Sequence, residues 1–429
     1  MNHIYTIQGL WTASVSAPQT ISFNHTPILE FFYHRWSTLL HQHYNAEKKL
    51  YDEGAILLVS RESSELLQLL YDAFSLTHGP VVAGQLLLRE YVRSGLELAA
   101  LSPDIGAYQQ QNASYYNDLN SPAGVELSNN TLFLSNRMIM AISHSMDAEG
   151  VAAVTDPERL QYFQGAEAQV FGNVGPGMFS GLASEPEEYD LSPYAEFTET
   201  HEVAGTGYSL RSVLQVLNYA HMFATMCEKR DVETGPKEKR GFFSEMVLYN
   251  LYVLLSNICK RLPDSKDMGT QEQRNGLHAV LSEWCSYVLG DLYTHFSGLG
   301  TVAMRCPVYA SVCMELGRKS LGMAYSEKVP QERQQEGSHS LHAVGLLSTA
   351  IMVLKQERPE GDPTLAECTI LLTCASFWAG GMPVETAILE MAAAEKVLLE
   401  QPEHLQGILK SELYKTYRRE MEQRVANTL

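Results

Sequence analysis

From Met1 to Leu29 the chain carries no Asp, Glu, Lys or Arg. Ile4, Tyr5, Ile7, Leu10, Trp11, Ile21 and Phe23 recur along this arm. A segment that remains disordered in water normally combines low hydrophobicity with high charge, and this one has the opposite composition. Its apolar side chains therefore need a surface to cover them. Two surfaces are available: the chain's own body, or a neighbouring subunit that receives an exchanged arm.

Charge is distributed just as unevenly in the middle of the chain. Leu101 to Gly207 contains 15 acidic residues and two arginines, a local balance of −13 within an overall net charge of −19. The remaining 322 residues are only mildly acidic, at −6. Such a chain is poorly suited to tracking phosphates broadly, because nucleic-acid affinity rests on Lys and Arg displacing condensed counterions. A local basic patch stays open. With 429 residues, of which 45% are hydrophobic, the chain can build a large core and exceeds the usual span of one domain. Two domains are expected.

The seven cysteines, at 227, 259, 285, 306, 313, 368 and 374, all lie in the second half and form no Cys-x-x-Cys pair. An odd, scattered set matches neither a disulfide framework nor a zinc cluster. It suits a reducing compartment in which thiols pack as small apolar groups. Met-Asn-His-Ile-Tyr-Thr at the N-terminus lacks the basic start and apolar run of a secretory signal, which gives an intracellular expectation. The most apolar window, Met246 to Ile258, is interrupted by Asn250, Ser256 and Asn257. It falls short of the roughly 20 residues a bilayer span requires and is expected to form a central buried helix.

Helical periodicity begins at Ile28, with Ile28, Phe32, Trp36, Leu39, Leu40 and Tyr44 on one face. Similar stripes follow at Ser63 to Leu76 and Pro80 to Ala100. From Leu101 to Gly207, Asn, Ser, Pro, Gly and acids accumulate instead, offering turns rather than regular ladders; one helix, at Leu132 to His144, is expected inside that stretch. Periodicity returns at Leu210, Val213, Leu214, Leu217, Ala220 and Phe223. Later helices are expected at Phe242 to Leu262, Gln271 to Phe296, Tyr309 to Ala324, Ser340 to Lys355, Leu365 to Trp378, Val384 to Leu399 and His404 to Val425. The fold class is mainly α. Its expected organisation is an extended N-terminal arm at 1–27, a helical body at 28–100 and 208–429, and an acidic, irregular, protruding insert at 101–207.

The chain contains no convincing catalytic pattern. Asn117-Asp118-x-x-Ser121 resembles the start of the second metal motif of terpene synthases, but Val125 stands where the glutamate belongs and Pro122 would break the helix. His34 and His41 can share a helical face, whereas His43 points elsewhere, and His339-x-x-His342 lacks further ligands. Gly172, Gly175, Gly177, Gly181, Gly298 and Gly300 lack the strand, helix and lysine context of a phosphate cradle. Ser180 has Met178 two residues before it, so the nucleophile elbow is absent. The densest acidic run, Glu185-Pro186-Glu187-Glu188-Tyr189-Asp190, lacks a calcium-loop pattern and reads as a solvated loop. Near the C-terminus, Lys410, Lys415, Arg418, Arg419 and Arg424 alternate with Glu412, Glu420 and Glu422, as on a solvated helix face.

The length, the apolar arm, the two helical blocks and the irregular insert together resemble the capsid proteins of partitiviruses, small double-stranded RNA viruses, especially the shorter-subunit fungal group. The resemblance is architectural and spans the whole chain. It implies a non-enzymatic coat protein without cofactors, with a helical shell domain, an arch formed by the insert, and quasi-symmetric dimers joined by exchanged arms within an icosahedral shell. Implied partners are the chain itself, a double-stranded RNA genome held by weak non-specific contacts, and the viral polymerase. The implied locations are the virion and the host cytoplasm. The absence of a polybasic arm agrees with this, because a shell around stiff duplex RNA need not condense a single strand. A helical regulatory or scaffold protein is the alternative, as in the all-α middle region of fungal zinc-cluster regulators, although their six-cysteine DNA-binding segment is missing. An isoprenoid-type enzyme ranks third.

Deleting Met1 to Thr26 is expected to leave the helical circular-dichroism signal intact and to impair assembly into particles, as read by sedimentation. Full burial of a large apolar side chain contributes about 1.5–3 kcal/mol, and a repeated subunit contact multiplies that effect. Loss of the helical signal would instead place the arm in the chain's own core.

Overall fold

A computed structural model describes residues 191–203, 209–234, 242–263, 269–326 and 339–428, with shorter pieces at 44–45, 50–51, 65, 132, 136, 139–140, 142–143 and 151–153. The arm and most of residues 28–190 lie outside the described residues. The described chain is mainly α. It divides into two compact units, Met1–Tyr287 and Val288–Leu429.

In the first unit, two short antiparallel pairs accompany the helices. β1 (Tyr44–Asn45) pairs with β2 (Leu50–Tyr51), and β3 (Val151–Ala153) pairs with β4 (His201–Val203). Helix α1 (Ala195–Glu199) precedes β4, and α2 (Leu210–Thr234) packs against α3 (Phe243–Arg261). Of the stripe expected on α2, Leu210, Val213, Leu214, Leu217 and Ala220 are buried, and Ala224 and Cys227 continue it; the Phe223 side chain lies outside the described residues. Helix α3 contains the apolar window at Met246 to Ile258, with Val247, Leu248, Leu251, Tyr252, Leu254, Leu255 and Ile258 all buried. Apolar residues beyond a single stripe mark a helix covered on more than one side.

Residues 191–203, the last part of the expected insert, join this helical core. Phe197, Thr198, His201 and Val203 are buried, and the chain is folded back on itself by His201 Nδ1 at 2.6 Å from the Phe197 carbonyl. Arg211 of α2 pairs with Glu199 of α1. Tyr194 approaches the next helix, α4 (Gln271–Leu299), so closely that a Cβ on Gly276 would lie 2.5 Å from its hydroxyl. The cluster at Glu185 to Asp190 lies outside the described residues.

The second unit starts within α4, where Phe296 stacks on Tyr309 with ring centroids 5.1 Å apart. A 3-10 turn (Gly300–Arg305) leads to α5 (Pro307–Ser326), α6 (His339–Glu357), α7 (Pro363–Trp378) and α8 (Val384–Leu399), each packed against the next. A second 3-10 turn (Glu403–Leu405) and the short α9 (Gly407–Lys410) precede α10 (Glu412–Thr428), which packs on α7 and α8.

Local chemistry explains the boundaries. Asp362 caps α7, its Oδ1 accepting from Thr364 N at 2.9 Å and Leu365 N at 3.2 Å, while Pro363 starts the helix without a donor to satisfy. At the other end Gly380 adopts φ +75°, and Gly381 N donates to the Ser376 carbonyl at 2.9 Å, closing the last turn. The expected helix at His404 to Val425 is broken. Ser411 turns extended at φ −68°, ψ 143°, its hydroxyl donates to the Ile408 carbonyl at 2.7 Å, and the same oxygen accepts from Tyr414 N at 3.2 Å. One serine therefore ends α9 and caps α10, a local alternative to helical continuation.

The side chain of Tyr417 ties α10 to the rest of the unit. It is fully buried, donates its hydroxyl to the Leu321 carbonyl of α5 at 3.1 Å, and meets Trp378 edge-on at 5.5 Å. Helix α6 presses on α5 at Gly317, where an added Cβ would lie 2.6 Å from Leu347 Cγ. Gly322, on the same helix, has open space at that position. Gly317→Val is expected to lower unfolding free energy in urea by about 1–3 kcal/mol through overpacking. Gly322→Ala should raise it by about 0.5–1 kcal/mol, because alanine restricts the unfolded backbone without a clash.

Candidate functional site

The seven arm residues proposed from sequence as an interface, Ile4, Tyr5, Ile7, Leu10, Trp11, Ile21 and Phe23, lie outside the described residues. So do His34, His41, His43, Asn117, Asp118, Ser180 and the glycines at 172–181. His339 and His342 open α6, and His342 Nδ1 sits 3.4 Å from Ser320 Oγ. Among the described residues, no three His, Cys, Asp or Glu side chains converge as a metal site.

All seven cysteines are free and buried. Burial pushes the Cys313 and Cys374 thiols up to about 12 and raises Cys368 as well. Thiolates are the reactive form, so these sulfurs pack as apolar groups at neutral pH.

The basic residues near the C-terminus are largely engaged. Lys410 pairs with Glu403 at 2.6 Å, Lys415 with Glu412 at 2.8 Å, and Arg418 with Glu422 at 3.1 Å and Glu395 at 3.5 Å. The Arg424 guanidinium lies 4.7 Å over the Phe377 ring. Lys410, Lys415 and Arg418 thus each have a carboxylate beside them. Glu395 also accepts the Tyr414 hydroxyl at 2.7 Å. Burial, then that carboxylate, raises the Tyr414 pKa, keeping the phenol a donor.

Between α5, α7 and α9 lies a cleft of about 360 Å³, lined by Arg318, Thr364, Glu367, Leu405 and Ile408 among others. Arg318 binds Glu315 at 2.8 Å and Glu367 at 2.5 Å. Burial raises the Glu367 pKa, Arg318 opposes the rise, and Glu315 adds to it. The nearby Ser411 hydroxyl is committed to Ile408 and Tyr414. The cleft therefore holds a guanidinium shared by two carboxylates, beside a hydroxyl committed to two backbone partners. The Arg318–Glu367 pair links α5 to α7.

The first unit contains a second buried polar contact that the sequence did not disclose. Trp284 Nε1 donates to His221 Nδ1 at 3.1 Å, and Tyr287 meets the imidazole edge-on at 5.9 Å. An indole N–H can only donate, so Nδ1 is the acceptor and the neutral ring carries its proton on Nε2. Burial lowers the His221 pKa from 6.5 to about 4. The two residues are 63 positions apart, and neither sits in a recognisable motif.

A few large apolar side chains stand on the described surface. Leu389 is 71% exposed, Leu399 63% and Met352 54%. Helix α6 has no Asp, Glu, Lys or Arg from His339 to Leu354, although Leu341, Gly345 and Met352 face outward. By sequence these segments were expected only as helices, at Ser340 to Lys355 and Val384 to Leu399, without an assignment of their faces.

A neutral buried histidine makes the fold sensitive to acid. Between pH 6.5 and about 4 the unfolded chain takes up a proton that native His221 refuses, so stability falls as pH drops through that window. Relative to His221→Gln, the wild-type chain is expected to lose about 2–3 kcal/mol between pH 7.5 and 4.5, as measured by urea unfolding at each pH. Equal pH dependence in both chains would show that His221 is already protonated or is not buried.

No protein-family model, curated protein or solved structure matches this chain.

Proposed function

We propose that the chain is a structural capsid subunit that self-assembles through dimers into a closed icosahedral shell around double-stranded RNA. One contrast supports this reading most directly. The buried titratable groups detailed above are held in internal pairs or desolvated, while large apolar side chains stand on the outer faces of α6 and α8. Exposed apolar helix faces suit protein contacts better than chemistry. The uncharged arm adds a further apolar segment that requires cover.

In this reading the virion and the host cytoplasm are the sites of action, and the viral polymerase is a further partner. Contact with RNA is weak and non-specific in this reading, because Lys410 of α9 and Lys415 and Arg418 of α10 are paired with carboxylates within the chain. No described helix is long and apolar enough to cross a membrane. The arrangement requires no cofactor.

Full-length protein should elute from size-exclusion chromatography with a particle fraction that appears as closed shells in negative stain and protects duplex RNA from nuclease. A monomer or small oligomer at every concentration would favour the helical scaffold reading. Magnesium-dependent release of diphosphate from an isoprenoid substrate would overturn both.

A further inference from the structure

We infer that the outward face of α8 is a two-fold contact between copies of this chain, in which two α8 helices pack antiparallel with Glu385 of each against Lys396 of the other. This deepens the assembly reading above and rests on it. Ala387, Met391, Ala394 and Leu398 turn inward and are buried. At about 100° per residue, the opposite face carries Glu385, Leu389, Ala392, Ala393, Lys396 and Glu400, all exposed.

The order of these side chains makes the face complementary to itself. A two-fold axis near Glu390 and Met391 sets Leu389 of one copy over Ala392 and Ala393 of the other, where the small side chains leave room for a leucine. The same register places Glu385 opposite Lys396 and, by symmetry, Lys396 opposite Glu385. One operation thus satisfies an exposed leucine and two ion pairs, as an isologous interface requires. Neither Glu385 nor Lys396 forms an ion pair among the described residues, so both are available for this contact. The uncharged face of α6 has no comparable feature to set a register or select an occupant.

A single helix pair buries less than a standard interface of roughly 1,200–2,000 Å², so the contact is weak by itself and gains strength when repeated in a closed assembly. Its two reciprocal charge pairs also make it sensitive to salt.

Charge exchange in the full-length chain tests the register. Lys396→Glu and Glu385→Lys are each expected to weaken self-association at least ~10-fold by sedimentation, because each homodimer then sets like charges against one another. An equimolar mixture of the two variants should associate as wild type does, since every opposed pair is again of opposite sign. The double variant E385K/K396E should also associate normally. Unchanged circular dichroism is expected throughout, because both positions are exposed.

If wild type assembles and both single variants assemble equally well, the α8 contact is wrong while the assembly reading stands. Weakening without recovery in the mixture would also overturn the proposed register. Wild type that dimerises but never forms particles, with single variants that are monomeric, would support the α8 contact and overturn the shell. A wild-type chain that remains monomeric would overturn both.

Discussion

Helix α7 lies between α6 and α8 and also contacts α10, and the second unit depends on burying it. Its buried residues include Ala366, Cys368, Ile370, Leu371, Cys374, Ala375 and Phe377. Glu367 is its only charged residue, and Arg318 of α5 meets that carboxylate at 2.5 Å. The two side chains stay partly exposed, at 35% for Arg318 and 28% for Glu367, so water screens the pair and it acts as a directional link more than as a large source of stability. The pair gives α7 a fixed registration against α5, whereas apolar contact alone resists sliding less strongly.

The same economy governs the other polar groups. Tyr414, Glu395 and Arg418 connect α10 to α8, and Tyr417 reaches the backbone of α5. In the first unit, Trp284 and His221 satisfy each other within the core. Each contact consumes reactivity: a phenol held protonated, a guanidinium shared between carboxylates, an imidazole kept neutral. Catalysis needs groups poised to exchange protons or attack, and these arrangements stabilise a single protonation state instead.

Under the assembly reading proposed above, function rests on surfaces. An apolar side chain such as Leu389 carries a solvation cost that contact with a partner removes. Charged residues flanking it decide which partner and in what register, because mismatched charges oppose every alternative. A structural subunit uses this division directly. Many modest contacts, each poor in isolation, become sufficient when closure of an assembly enforces them together.

Helix positions were legible from the sequence because apolar spacing acts locally: Val384–Leu399 was expected with those bounds, and the helix expected at Leu365 to Trp378 is α7, which starts two residues earlier at Pro363. The burial of the window at Met246 to Ile258 followed from its composition, and the packing of cysteines as apolar groups followed from their scatter. Ser411 was misread because its neighbours Ile408 and Tyr414 continue a helical spacing, and only the observed hydrogen bonds show the serine serving two helices at once. Pairings such as Arg318 with Glu367, 49 residues apart, or Trp284 with His221 were invisible, since periodicity specifies a face but not what lies opposite it. For the same reason the sequence established Leu389 as apolar without showing that it faces outward. That assignment depends on which side of α8 the other helices occupy, and only the tertiary structure decides it.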